Sequence, residues 1–504
     1  MRASIRWLPG LLVGLALVLG PTATAGAEDR DRTVVVAVGV DATSMDPYLS
    51  TNITDKHVAS HLFDTLLRRD DAMRIQPNLA TSYRAVSPTV WEFTLRPGVR
   101  FDDGTPLTAE DVKFTIEHAL DPALKAPSVA QFRPIVRVDA VGPHTVRITT
   151  KEPYPALPAV MAECWILSKA QAAKGQQALS ERPVGSGPYR LKAWARGDSI
   201  LLEARTDYWQ GAPKIPYVRF RTVPDQNTRF AQLRTGEADI VAALPPEAVA
   251  LVAGDRSVRI ARAPGARAYF VGLNTRLEGP LRDRRVRQAL NHAVDVQALL
   301  DFVYEGYGSR LATLLTPQQF GYTASVTPYP HDPAKAKALL AEAGFPSGFA
   351  IRMESPEGRY PKDREVAQAI AGQLARVGVR VDLAIREWGT FVGQFRTEAG
   401  PPMYLMGWSI PTFDPETILT PLLTPNQTYG RFDTPSLTRL IHEARSTVSP
   451  EARAALYEKA QVLMKEEAPV IFLFQLEDLY GVSNRLDWTP RSDERILLYQ
   501  AAFR

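Results

Sequence analysis

A mixed α/β protein of at least two lobes, with helices covering its sheets, is the fold class this sequence predicts. Three observations carry that expectation. The chain has 504 residues, more than one hydrophobic core accommodates. Its 45% hydrophobic and 23% charged residues are ordinary for a folded soluble protein, which excludes a disordered chain or a polytopic membrane protein. Short apolar strand-like runs alternate along it with amphipathic helical periods.

The N-terminus comes first. Arg2 and Arg6 precede the apolar run Leu8–Leu19, and Ala25-Gly26-Ala27 stands ahead of a charged stretch. A basic flank, a short apolar run and a small-residue site read as a secretory signal peptide over residues 1–27. The run falls short of the roughly 20 residues that span a bilayer. The only cysteine is Cys164, so no lipid attachment is expected at the cleavage site. Removing the leader takes away two arginines and no carboxylate, leaving a net charge of +2 from +4. An exported, periplasmic protein free in solution is expected. So small a charge gives no nucleic-acid footprint.

Thr33–Val40 reads as a buried strand. Thr89–Arg96 alternates, with Trp91, Phe93 and Leu95 on one face, and Pro97-Gly98 turns it toward a further extended stretch, Val99–Phe101. Thr108 and Asp111 have capping-box spacing ahead of a helix carrying Val112, Ile116, Ala119 and Leu120. Asp332-Pro333 opens a helix that Gly344 stops. Another runs through Val366, Ile370 and Leu374 to Gly378 and feeds a strand, Val379–Ile385. Ala452–Glu466 reads as helix and Pro469–Phe474 as strand. Gly265–Asn274 reads either as a core strand or as a crossover between lobes.

Catalytic signatures are missing. There is no P-loop, G-x-G-x-x-G, H-E-x-x-H or G-x-S-x-G. Gly185-Ser186-Gly187-Pro188 is turn chemistry rather than a nucleophile elbow. His57 and His61 stand four apart on a helix, a metal-compatible spacing with no third ligand nearby in sequence; packed or solvated histidines are the plainer account. Cys164, beside Trp165 and Ile166, reads as a small buried hydrophobe. No cofactor or metal is expected, and an enzyme is disfavoured.

One long stretch, Trp91-Glu-Phe-Thr-Leu-Arg-Pro-Gly-Val-Arg-Phe-Asp-Asp-Gly-Thr-Pro-Leu-Thr-Ala-Glu-Asp-Val112, is highly specific. In register with it stand Ser44-Met-Asp-Pro47, Pro183–Tyr189, Asn274 with Arg285–Leu290, Lys335–Gly344, Gln373–Val379, Glu387-Trp388 and Gly407-Trp408. With these the whole mature chain resembles the peptide-type (family 5) extracellular solute-binding proteins of ABC importers, including dipeptide- and oligopeptide-binding proteins. The resemblance implies a type II two-lobed periplasmic binding fold. Lobe I would span 28–265, with an extra subdomain over about 47–180; lobe II would span 266–474; and 475–504 would return to lobe I. It resolves Ala266–Gly272 as one crossing and the strand ending near Phe474 as the other.

The same resemblance implies site residues. Arg359 matches an arginine that holds a ligand carboxylate in dipeptide-binding relatives, a task suited to the guanidinium fork. Trp408 ends a strand, where an α/β sheet opens onto its cleft. Relatives place an ammonium-binding aspartate three residues after this tryptophan. This chain has Pro411 there, with Asp414 as a candidate substitute. Gly185 and Tyr189 would sit near hinge and cleft. The implied function is a non-enzymatic, monomeric receptor delivering a dipeptide, oligopeptide or peptide-like solute to an ABC membrane permease. Alternatives are an opine, a glutathione-like conjugate, a short sugar or a chelated metal as solute or, in another class, a hydrolase on a similar scaffold. A ligand contacting both lobes favours the closed form by its differential affinity, and that closure is what a permease can sense.

Overall fold

The computed structural model describes residues 30–504 except 128, 253, 398–399 and 433, so the leader expected over 1–27 lies outside the described residues. Two separate sheets organise the chain. The first runs in the order Val258–Pro264, Phe474–Ser483, Ile240–Val241, Thr33–Val38, Tyr217–Thr222, Ser199–Ala204 and Tyr189–Ala195, with Gly308–Arg310 pairing off Phe474–Ser483. Thr33–Val38 is buried at every position because it lies parallel between Tyr217–Thr222 and Ile240–Val241, with side chains in the cores on both faces. A strand covered on both faces reads as a continuous apolar run, which is what its four valines are.

The second sheet has five strands, in the order Val379–Arg386, Phe349–Pro356, Met403–Ser409, Arg267–Leu273 and Val470–Phe472. Its two faces carry separate cores, one built on Val271, Ile370 and Leu405, the other on Phe270, Met406 and Tyr457. The chain enters this sheet through Gly265-Ala266 and leaves through Leu473. Gly265 donates its N–H to the Leu476 carbonyl at 2.9 Å and accepts from the Gln475 amide at 2.5 Å, so the outgoing and returning strands are bonded where they cross. The strand expected over Pro469–Phe474 is thus two strands, Val470–Phe472 in one sheet and Phe474–Ser483 in the other. An apolar run has no periodicity to mark a change of partner.

A third, wholly antiparallel sheet orders Ala80–Ser87, Val90–Leu95, Thr145–Thr150 and Ile135–Ala140. Trp91, Phe93 and Leu95 are buried on one face of its hairpin. Helix Ala109–Leu120 packs beside it, its start fixed by the Asp111 carboxylate, which accepts from the Thr108 N–H at 2.8 Å and the Thr108 hydroxyl at 3.0 Å. Val99–Phe101 is not a strand; it follows a turn at Gly98, whose φ is +81°. The later helices fall where the caps predict: Pro333–Glu342 behind Asp332, and Asp363–Ala375 ahead of Gly378 at φ +93°. Pro450–Glu467 starts two residues early, because Ser449 accepts from the Ala452 N–H.

His57 and His61 are core residues. His57 Nδ1 accepts from the Ile496 N–H, and His61 Nε2 accepts from the Leu498 N–H while its Nδ1 faces the His57 carbonyl at 2.8 Å. Burial pushes them down to about 3 and about 4, so both stay neutral. Among the described residues no three ligand-type side chains come together as a metal site. Cys164 is fully buried and its thiol is pushed up to about 12. Among the described residues no helix is long and apolar enough to cross a membrane.

Candidate functional site

The carboxyl ends of Phe349–Pro356 and Met403–Ser409 lie side by side in the second sheet, and the amino end of Arg267–Leu273 joins them, pairing antiparallel so that Ala268 opposes Trp408. Strand ends gathered next to a crossing are where a two-lobed α/β protein exposes its cleft. Arg359 is carried there by the turn after Phe349–Pro356. The Asp363 carboxylate, at the start of the following helix, accepts from the backbone N–H groups of Gly358, Arg359 and Tyr360 at 3.1, 2.9 and 3.0 Å. Gly358 supplies the left-handed φ of +70° that this tight turn requires. The exposed Arg359 guanidinium lies 4.9 Å from the Trp388 ring centroid and 5.7 Å from that of Tyr360.

Those rings are themselves held. Glu387 caps the short helix Trp388–Gly393 by accepting from the Gly389 and Thr390 N–H groups, which fixes the indole against Phe391. Tyr360 donates its hydroxyl to the Gly407 carbonyl at 3.0 Å and meets Trp388 edge to face. Trp408, one residue on, donates its indole N–H to the Thr417 carbonyl at 2.9 Å and packs edge to face on Tyr429. The structure therefore brings Arg359 and Trp408 to one rim, linked through Tyr360 and Gly407. The arrangement offers an oriented guanidinium for an anion and flat aromatic surface for whatever is attached to it.

The other three candidates sit elsewhere, and each is engaged within the fold. Asp414 forms a two-pronged ion pair with Arg453, 2.7 Å on each arm, with both side chains 4% exposed. It also accepts from the Glu416 N–H, so its carboxylate is engaged by protein partners and is no free acceptor for a ligand ammonium. Gly185 serves packing: a Cβ there would stand 1.8 Å from the Leu62 carbonyl oxygen, at the end of helix Ile53–Leu62. Tyr189 is 1% exposed, packs edge to face on His61 and donates its hydroxyl to the Ile215 carbonyl at 3.1 Å. Both residues shape the joint between a helix and the first sheet.

Sequence reasoning missed three neighbours of the rim. Trp388 and Tyr360 lie within stretches already singled out, but nothing in their spacing shows that they share a wall. Arg69 had no signal at all. It pairs with Glu163 at 2.6 Å and donates to the Thr412 carbonyl at 2.8 Å, which ties the loop after Trp408 to the lobe built on the first sheet. Phe413 in that loop has φ +52° and packs with Met73 and Ala266 at the crossing. A cavity of about 560 Å³ also exists, lined by residues such as Asp64, Tyr208, Arg491 and Tyr499. Its lining includes no residue of the second sheet.

Comparison with known proteins agrees with this architecture. The glutathione-binding protein GsiB of Salmonella typhimurium (strain LT2) is 32% identical over 480 residues, covering 92% of each chain. The structure of HbpA2 from Haemophilus parasuis superposes with a TM-score of 0.87 at 25% identity, covering 94% of this chain and 100% of that one. The dipeptide-binding protein of Pseudoalteromonas sp. SM9913, in complex with Met-Leu, superposes at 0.73 with 26% identity and coverage of 94% and 100%. Residues 74–430 match the family model for bacterial extracellular solute-binding proteins, family 5 (middle region), and the chain belongs to that family.

Proposed function

We propose that this protein is a periplasmic receptor that captures a peptide or peptide-like solute between its lobes and presents the closed complex to an ABC import permease, without chemistry of its own. Gly265-Ala266 and Leu473 serve as the hinge, residues 266–474 as the moving lobe, and residues 1–27 as the export leader. One observation supports the ligand class above others. Arg359 is held on Trp388 at the cleft rim, and among the described residues no carboxylate oxygen lies within 4.0 Å of it. A guanidinium oriented by aromatic faces and left without a partner suits a ligand carboxylate.

Within this class, the engagement of Asp414 with Arg453 leaves no counterpart at Pro411 for the ammonium acceptor of dipeptide-binding relatives, which favours a solute whose amine stands elsewhere, as on the γ-glutamyl branch of a glutathione-like conjugate, over a simple dipeptide. A thermal-shift screen of dipeptides, tripeptides, glutathione, opines and short sugars tests both. A true ligand at a hundred times its Kd stabilises the protein by about 2.7 kcal/mol. Native mass spectrometry should show one such solute per chain, unaltered. Its hydrolysis would place the protein among the enzymes instead, and binding of sugars alone would remove Arg359 from its role.

A further inference from the structure

Tyr360 is flanked by two guanidiniums. Arg267 begins the strand Arg267–Leu273 immediately after the crossing, in register with Ser409. Its side chain runs across the end of the neighbouring strand at Gly407, where Nη1 donates to the carbonyl at 3.0 Å. Only glycine admits this path: a Cβ at 407 would lie 2.8 Å from Arg267 Cδ and 2.8 Å from the Tyr269 ring. The Arg267 guanidinium carbon stands 5.5 Å from the Tyr360 centroid, and that of Arg359 stands 5.7 Å from the same centroid. The two charges are therefore less than about 12 Å apart, two or three extended residues.

Neither has a carboxylate oxygen within 4.0 Å among the described residues. Arg453 and Arg69, by contrast, each hold one at 2.6–2.7 Å. The acid that acts on Arg267 from across the crossing is Asp478. Burial and then Glu494 push Asp478 well up toward its neutral form, so it supplies Arg267 with little counter-charge. Tyr269, on the same strand face, is held neutral by burial. The cleft rim is thus a dicationic wall with an aromatic spacer.

We infer that the solute carries two carboxylates, one taken by Arg359 and the other by Arg267, with the Tyr360 ring setting their separation. This rests on the cleft reading above and narrows it to dicarboxylates: acidic dipeptides, or conjugates with a carboxylate at each end. Arg267 is then the residue that selects the second charge.

The test is calorimetric titration of the full protein with matched probes: Ala-Glu against Ala-Gln, and glutathione against its two singly amidated forms. The wild type should prefer each dicarboxylate over its singly charged match by at least about tenfold in Kd. Arg267→Gln should erase the preference for Ala-Glu and become indifferent to one of the two glutathione amidations, while still binding the monocarboxylate. Arg359→Gln should weaken Ala-Glu and Ala-Gln alike, and Arg267→Lys should keep part of the preference. Ligand-free melting curves of the variants, expected to match wild type, separate site effects from misfolding. Equal binding of charged and amidated probes by the wild type would overturn this inference while leaving the receptor reading intact. No binding of any carboxylate probe would overturn both.

Discussion

The capped joints of the antiparallel sheet around Trp91–Val112 and the rim around Arg359–Trp408 are built on opposite principles. At those joints the buried acids are answered, although Arg96 in the same stretch lies 4.6 Å from the Trp209 ring centroid with no carboxylate within 4.0 Å among the described residues. Asp111 caps its own helix and also accepts from the Lys169 N–H. His118 faces the buried Asp46 carboxylate at 2.8 Å, and the hairpin aromatics fill a core. At the rim, two guanidiniums lie over aromatic rings with no carboxylate beside them. Completed polar networks fix one conformation, whereas unanswered charges held in place are pre-arranged for a partner from outside. The rim is therefore the place to test for a ligand carboxylate, whereas the cavity lined by Asp64, Tyr208 and Tyr499 holds no residue of the second sheet.

The largest expected effect tests where Asp414 belongs in this contrast. If its pair with Arg453 is structural, Asp414→Ala strands a buried guanidinium and costs about 3–5 kcal/mol of stability, read as a shifted urea midpoint. A variant of normal stability with lost ligand affinity would move Asp414 back to the rim. Next is Arg359→Ala, which should leave ligand-free stability within about 0.5 kcal/mol and weaken carboxylate ligands by about 2–5 kcal/mol. Unchanged affinity would show that the exposed guanidinium is merely solvated. Gly185→Ala should do the reverse. Its Cβ collides with backbone rather than with a side chain that can move, so a loss of about 1–3 kcal/mol of stability is expected, with no specific loss of affinity per folded molecule.

Much of the fold was legible because it is written in local terms. The Thr108/Asp111 box, the Asp332-Pro333 start and the stops at Gly344 and Gly378 each act over a few residues, and each stands where the sequence puts it. The crossing was not legible from pattern, because Val470–Phe472 and Phe474–Ser483 form one apolar run whose partners change at Leu473. The site was legible only in part. Arg359 and Trp408 could be singled out one at a time. That Asp414 is claimed by Arg453, 39 residues away, and that Arg267 crosses Gly407 to reach Tyr360, are facts of tertiary contact without a sequence period.

The smallest expected effect is a pH dependence that separates the two regions by sign. His57 and His61, under the first sheet, are pushed down to about 3 and about 4 by burial. The unfolded chain takes up their protons below about pH 6.5 while the native state refuses them, so they favour folding above that value and stability falls with acid. Glu416, beside the Asp414–Arg453 pair, runs the other way. Burial, and then the Asp414 charge, push it up to about 7, so the native state keeps a proton that the unfolded chain loses near pH 4.5. Its contribution is present at the acid end and fades as pH rises from about 4.5 to about 7. The Arg445 guanidinium, at 2.9 Å, already keeps it from rising further. Glu416→Gln keeps the shape without the titration and should raise stability at pH 7.5 relative to wild type while changing little at pH 4.5. Equal gains at both pH values would mean that Glu416 is ionised throughout, and that the loop after Trp408 holds its charges as answered as Asp111 and Asp46 are.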